Sequence, residues 1–172
     1  MPSEKDKKES LSNQLSVPHN KGFKIEKSII VHRPVEELYR FWRNFENLPR
    51  FMNHLKSVRI IDNTHSHWVV KGPLGKDVEW DAEIINEIPN NTIGWRSVNG
   101  ADVDNAGSVH FESLASSNGT NVRVVLKYAP PAGAVGVLVA AIFGENPEQQ
   151  LNDDLNRFKQ VMETGQVSST KK

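Results

Sequence analysis

Histidines and carboxylates at alternate positions are the residues of this chain best spaced for chemistry. His65 and His67 share a face if they lie on one strand, and His54 stands near in sequence. Two imidazoles at that spacing can bind a metal once a third ligand and a supporting shell complete the site. A polar turn leading into a strand accounts for the same residues, and no metal site is assigned. Glu79, Asp81 and Glu83 stack on one side of a strand, as the carboxylates of a general acid and base would. They alternate with Val78, Trp80, Ala82 and Ile84, a pattern that points the acids to solvent. Arg96, Ser97 and His110 fit a cavity wall or a surface equally well. No catalytic residue is assigned. The chain has no Gly-rich phosphate loop, nucleophile elbow or zinc-peptidase helix. It also lacks cysteine, which removes a thiol nucleophile, a Cys-ligated metal and a disulfide framework together.

The residues that position these groups belong to 172 positions with no internal repeat, a length suited to one domain. A core of that size buries roughly 70% of the surface its unfolded chain exposes, so no staple is required. Lys plus Arg number 21, as do Asp plus Glu. With no basic excess to displace phosphate counterions, nucleic acid is not an expected partner. Residues 1–21 and 165–172 are polar and read as disordered tails flanking a folded domain over 22–164. The first of them lacks the apolar run of a signal peptide, and a cytoplasmic location is expected.

Alternation predicts a first strand over Phe23 to Val31. Pro34, Glu36 and Glu37 then open a helix whose Val35, Leu38, Tyr39 and Trp42 form one apolar face, with Pro34 at its first position. A second short helix is expected at Asn47 to Met52. Six short strands follow between His54 and Tyr128, punctuated by turn chemistry at Asp62-Asn63, Pro89-Asn90-Asn91 and Ser117-Asn118-Gly119. Ala132 to Phe143 is apolar all round, and a bend is expected near Gly144 to Asn146. Asn146 then caps a fresh helix with Pro147 first and Gln149 three residues on, carrying Leu151, Leu155, Phe158 and Met162 on one stripe. An Asp153–Arg157 pair is expected on its other side, and Gly165 ends it.

These elements describe an α+β helix-grip fold: a curved antiparallel sheet of about seven strands around a long C-terminal helix, with two short helices after the first strand. The sequence resembles the START-like (SRPBCC) superfamily of polyketide cyclases/dehydrases and lipid transporters. Within it, the likeness is nearest to bacterial proteins with a coenzyme Q-binding START-type domain. The segments that carry it are Phe45 to Met52, Glu79 to Ile84, Ile93 to Ser97, Gly107 to Phe111, Tyr128 to Gly133 and Asp154 to Lys159. The resemblance implies an internal cavity for a hydrophobic small molecule: a lipid, a quinone or isoprenoid, or a polyketide-like compound. It implies no cofactor and no single reaction, since fold alone does not settle function. A binding or transport module is the preferred reading. The alternatives are a cyclase, aromatase or dehydratase, and an interaction module built on the apolar segment 132–143.

Aromatic side chains offer large stiff surfaces with polar handles, so Phe51, Trp68, Trp80, Trp95, Phe111 and Tyr128 are the expected cavity lining. Ordinary core packing explains any one of them as well. Gly136, Leu138, Val139 and Ile142 complete the expected lining from the apolar segment. There Ala132, Gly136, Ala140 and Gly144 recur every four residues as one small-residue ridge. Glycine inside a helix costs about 1 kcal/mol, so Gly136 needs a compensating reason: close approach to the sheet, room for a ligand, or contact with another helix. The segment is too short to span a bilayer; burial, a transient touch on a membrane surface and pairing with another chain stay open. Monomer and homodimer are both compatible with the sequence.

Overall fold

Alternate burial along Phe23–Val31 makes the first strand, β1, with Ile25 and Val31 inward and Lys24, Glu26 and Ser28 exposed. The computed structural model describes residues 23–72, 75–98, 100–101, 104–116, 118–129 and 146–165. Helix α1, Val35–Arg43, buries Leu38, Tyr39 and Trp42, the face that the spacing predicts. Pro34 sits one position earlier than expected, as the N-cap. Its extended φ and ψ leave its carbonyl to accept from Glu37 and Leu38 N–H at 3.1 and 3.3 Å. The second short helix also starts early, as a 3-10 helix over Phe45–Arg50 in place of 47–52. The cause is local: Asn44 Oδ1 accepts from Glu46 N–H, and Asn47 donates to the Phe41 carbonyl at 2.9 Å.

The remaining strands are β2 (Leu55–Ile60), β3 (His65–Val70), β4 (Val78–Ile88), β5 (Thr92–Ser97), β6 (Asp104–Leu114) and β7 (Gly119–Ala129). All neighbouring pairs are antiparallel. The order is β1-β7-β6-β5-β4-β3-β2, so six strands form a meander and β1 closes on the last of them, giving a curled half-barrel. Strands β4, β6 and β7 run longer than their most apolar stretches. Their tight turns are built on Asn90 and Asn118, both with positive φ, a conformation asparagine tolerates better than most residues.

Helix α2, Pro147–Thr164, lies against β1 and the inner face. Its ends are those its sequence calls for. Asn146 accepts from Gln149 N–H at 3.2 Å, Pro147 opens the first turn, and Gly165 at φ 76° donates its N–H to Val161 O at 2.7 Å. Leu151, Leu155, Phe158 and Val161 are buried, each burial contributing about 1.5–3 kcal/mol. Phe158 meets Trp42 and Phe51 with centroids 5.1 and 5.0 Å apart, locking α2 to α1 and the 3-10 helix. At its far end Lys159 donates to Ile30 O at 2.7 Å and Glu163 accepts from His32 N–H at 2.8 Å. The expected helix over 132–143 and the bend at 144–146 lie outside the described residues, apart from Asn146.

Candidate functional site

Cross-strand register gathers three tryptophans on the concave face. Trp68 of β3 stands opposite Trp80 of β4, and Trp95 of β5 lies opposite Ile84 and Gly107. The rings stack: Trp68 is 6.0 Å from Trp80 at 21°, and 6.2 Å from Trp95 at 25°. Phe45 meets Trp68 and Trp95 edge-on at 5.6 and 5.5 Å. Gly107 makes room for this row, because a Cβ there would stand 2.5 Å from Trp95 Cζ2. Trp68 donates its indole N–H to Ser66 Oγ at 2.8 Å. The Trp80 N–H has no hydrogen-bond partner.

Facing the sheet, α2 carries a carboxylate on its apolar stripe. Asp154 is 1% exposed, between Leu151 and Phe158. The pair expected between Asp153 and Arg157 does not form. Arg157 Nη2 binds Asp154 Oδ1 instead, while Asp153 accepts from Gln149 Nε2 at 3.0 Å. The inward turn of Arg157 explains this, for its Nε also donates to Phe51 O at 2.9 Å. Asp154 Oδ2 lies 3.7 Å from Nδ1 of His54, whose side chain is 14% exposed. Burial pushes the Asp154 carboxyl up to about 7, against the opposing pull of Arg157 and the Asn53 N–H. Burial, then the charge of Arg157, holds His54 down to about 4. A carboxyl poised near neutrality beside a neutral imidazole can donate one proton and accept another.

Both constellations border one cavity of about 50 Å³. Its apolar wall includes Ile25, Met52, Leu55 and Leu151 with the three tryptophans, and its polar members include His54, Asp154, Lys127 and Gln150. Of the expected lining residues, Trp68, Trp80, Trp95 and Tyr128 reach it. Burial pushes the Tyr128 phenol up to about 12. Phe51 and Phe111 are placed elsewhere, in the packed centre around Trp42, at ring distances of 5.2 and 6.4 Å. Gly136, Leu138, Val139 and Ile142 lie outside the described residues. The sequence pattern does not single out Asp154 as a site residue, places Arg157 only in an outward pair with Asp153, and marks His54 only as a neighbour of His65. An acid on an otherwise apolar helical stripe was the available signal.

The outer face of the sheet holds the other candidates. His67 is clamped by Asp81 at 2.7 Å and Glu79 at 2.8 Å, and its pKa is raised by both. His65 binds Asp62 at 3.0 Å, and Arg96 binds Glu83 at 2.9 Å. Among the described residues, no group of three or more His, Cys, Asp or Glu is arranged to hold a metal. His110 lies 3.0 Å from Ser108 Oγ, and Ser97 Oγ accepts from Asn105 N–H at 3.0 Å. No helix among the described residues is long and apolar enough to cross a membrane.

Comparison with known proteins places this site in context. Residues 31–156 match the model of the family described as polyketide cyclase/dehydrase and lipid transport. A 17.2 kDa protein of Streptomyces lincolnensis is 32% identical over 142 residues, covering 81% of this chain and 89% of the relative. A crystal structure from Deinococcus radiodurans shares 36% identity, covering 84% of this chain and all (100%) of that one, with a TM-score of 0.68. The fold recurs in the Zhui aromatase/cyclase of a Streptomyces species at 12% identity and TM-score 0.61, with 86% of this chain and 99% of that chain covered.

Proposed function

The chain belongs to the polyketide cyclase/dehydrase and lipid transport family, and on that premise we propose that it binds a hydrophobic small molecule between the curled sheet and α2. Quinones or isoprenoids, lipids and polyketide-like compounds are the ligand classes. The observation that carries this reading is the cavity wall, where three stacked tryptophans face Leu151. Stiff aromatic surface suits a pocket that holds an apolar guest in one orientation. At about 50 Å³ the cavity takes a small group. A larger ligand must displace wall side chains, and the unbranched Met52 moves most readily. Thermal shifts across a panel of quinones, isoprenoids, fatty acids and aromatic ketones test the proposal. A true ligand at a hundredfold excess over its Kd stabilises by about 2.7 kcal/mol; a panel with no shift at all defeats the reading.

One observation favours the enzyme reading as a second. Asp154 and His54 set a near-neutral acid and a neutral base on the wall of an apolar cavity, with the Arg157 cation bound to Asp154. A bound ketone could be protonated at oxygen by one and deprotonated at carbon by the other, the step that cyclisation and dehydration of poly-β-ketones share. Under this reading, Asp154→Asn keeps ligand binding and abolishes turnover of a poly-β-ketone substrate. Turnover unchanged in that variant leaves the carrier reading alone.

A further inference from the structure

One residue of the cavity wall carries a buried donor that the protein itself does not use. Trp80 is only 7% exposed and lines the cavity, yet its indole N–H makes no hydrogen bond. Such a group is expensive to leave unsatisfied. The neighbouring ring does not serve as acceptor. Trp68 stacks on Trp80 at 21°, and an N–H lying in one of two near-parallel planes cannot point into the face of the other. Trp42, whose indole N–H also lacks a hydrogen bond, is a different case. It is surrounded by the rings of Phe51, Phe111 and Phe158 at 5.2, 6.4 and 5.1 Å, whose π faces are weak acceptors.

Resting on the cavity being a ligand site, we propose that the guest carries a neutral hydrogen-bond acceptor on an apolar frame, a carbonyl oxygen, and that Trp80 Nε1–H recognises it. Indole nitrogen only donates, so it rewards an acceptor and gives nothing to a hydrocarbon. A ligand lacking the acceptor leaves the donor buried and unsatisfied. A carboxylate is disfavoured because an apolar wall desolvates its charge, and Asp154 adds like charge when ionised.

Three ligands of one shape separate the outcomes: acetophenone, ethylbenzene and benzoate. The four tryptophans give four indole N–H signals in a nitrogen-15 spectrum, and Trp80→Phe identifies the one concerned. Acetophenone is expected to bind at least about tenfold more tightly than ethylbenzene, to move the Trp80 signal downfield, and to lose its advantage in Trp80→Phe. Should that variant not fold, the Trp80 signal of the unaltered protein, assigned through its backbone, decides. Equal binding of ketone and hydrocarbon with the Trp80 signal unmoved overturns the inference and leaves the cavity reading standing. Benzoate binding more tightly than acetophenone also overturns it. Failure of all three to bind to protein with a folded spectrum overturns both.

Discussion

His54 Nδ1 lies 3.7 Å from Asp154 Oδ2, and burial moves the two groups in opposite directions, the imidazole down to about 4 and the carboxyl up to about 7. In water the proton would sit on the histidine; beside the cavity the neutral forms of both are favoured. The two groups come from distant parts of the chain, and α2 brings them together by presenting Asp154 inward.

Opposed stability slopes follow from this pair. Between pH 4 and 6.5 the unfolded chain binds a proton at His54 that the folded chain does not, so stability rises with pH. Between pH 3.8 and 7 the folded chain keeps a proton on Asp154 that the unfolded chain releases, so stability falls with pH. The contributions offset each other where the windows overlap. Urea unfolding of His54→Asn is expected to show a falling slope there, and Asp154→Asn a rising one, each of order 3 kcal/mol across the window. Two slopes of the same sign contradict the arrangement.

Arg157 is the cation that makes a buried Asp154 tolerable. Arg157→Met is expected to cost about 3–5 kcal/mol at pH 8, where it strands a carboxylate, and less at pH 5, where the carboxyl takes up a proton. Adding Asp154→Asn restores part of the loss. A double-mutant cycle with no coupling at pH 8 refutes the pairing.

Gly107 is expected to be intolerant of even one methyl. Its Cβ would meet Trp95 Cζ2 at 2.5 Å, Trp95 Cε2 at 2.7 Å and Leu126 Cδ2 at 3.0 Å. Gly107→Ala should cost about 1–3 kcal/mol and change the near-ultraviolet circular dichroism of the stacked indoles. A variant with unaltered spectrum and stability removes the close approach from the description.

The His67 clamp acts on the outer face and only while the imidazole is charged. Its raised folded pKa contributes stability below the ordinary histidine value of 6.5, lost as pH rises through the folded value. Its side chain is 27% exposed, so the contribution should stay under about 1 kcal/mol. Asp81→Asn should lower the His67 pKa in a proton NMR titration and destabilise at pH 6 but not at pH 9. An unmoved titration counts against the clamp.

Local chemistry made much of the fold legible. Alternation in β4, asparagine turns and the Asn146, Pro147 and Gly165 signals of α2 are each decided within a few residues, and the structure follows them. The site was less legible because burial of a charge is decided by packing between distant elements. Asp153 and Asp154 are adjacent, and only the helical spacing Leu151, Asp154, Leu155, Phe158 places the second on the buried stripe. Aromatic type alone also fails to separate wall from core. Phe111 shares a face of β6 with Gly107, but four residues along the strand it meets Tyr39 of α1 at 5.9 Å and not the tryptophan row.

Native mass spectrometry of freshly purified full-length protein tests most directly whether the space beneath the tryptophans is kept for a guest. The expected spectrum shows, besides the bare chain, a species heavier by one small organic molecule that organic solvent extracts and that a cavity-filling Ile25→Phe variant no longer carries. Bare protein alone, with no adduct after exposure to the ligand panel and no difference in the variant, contradicts the account.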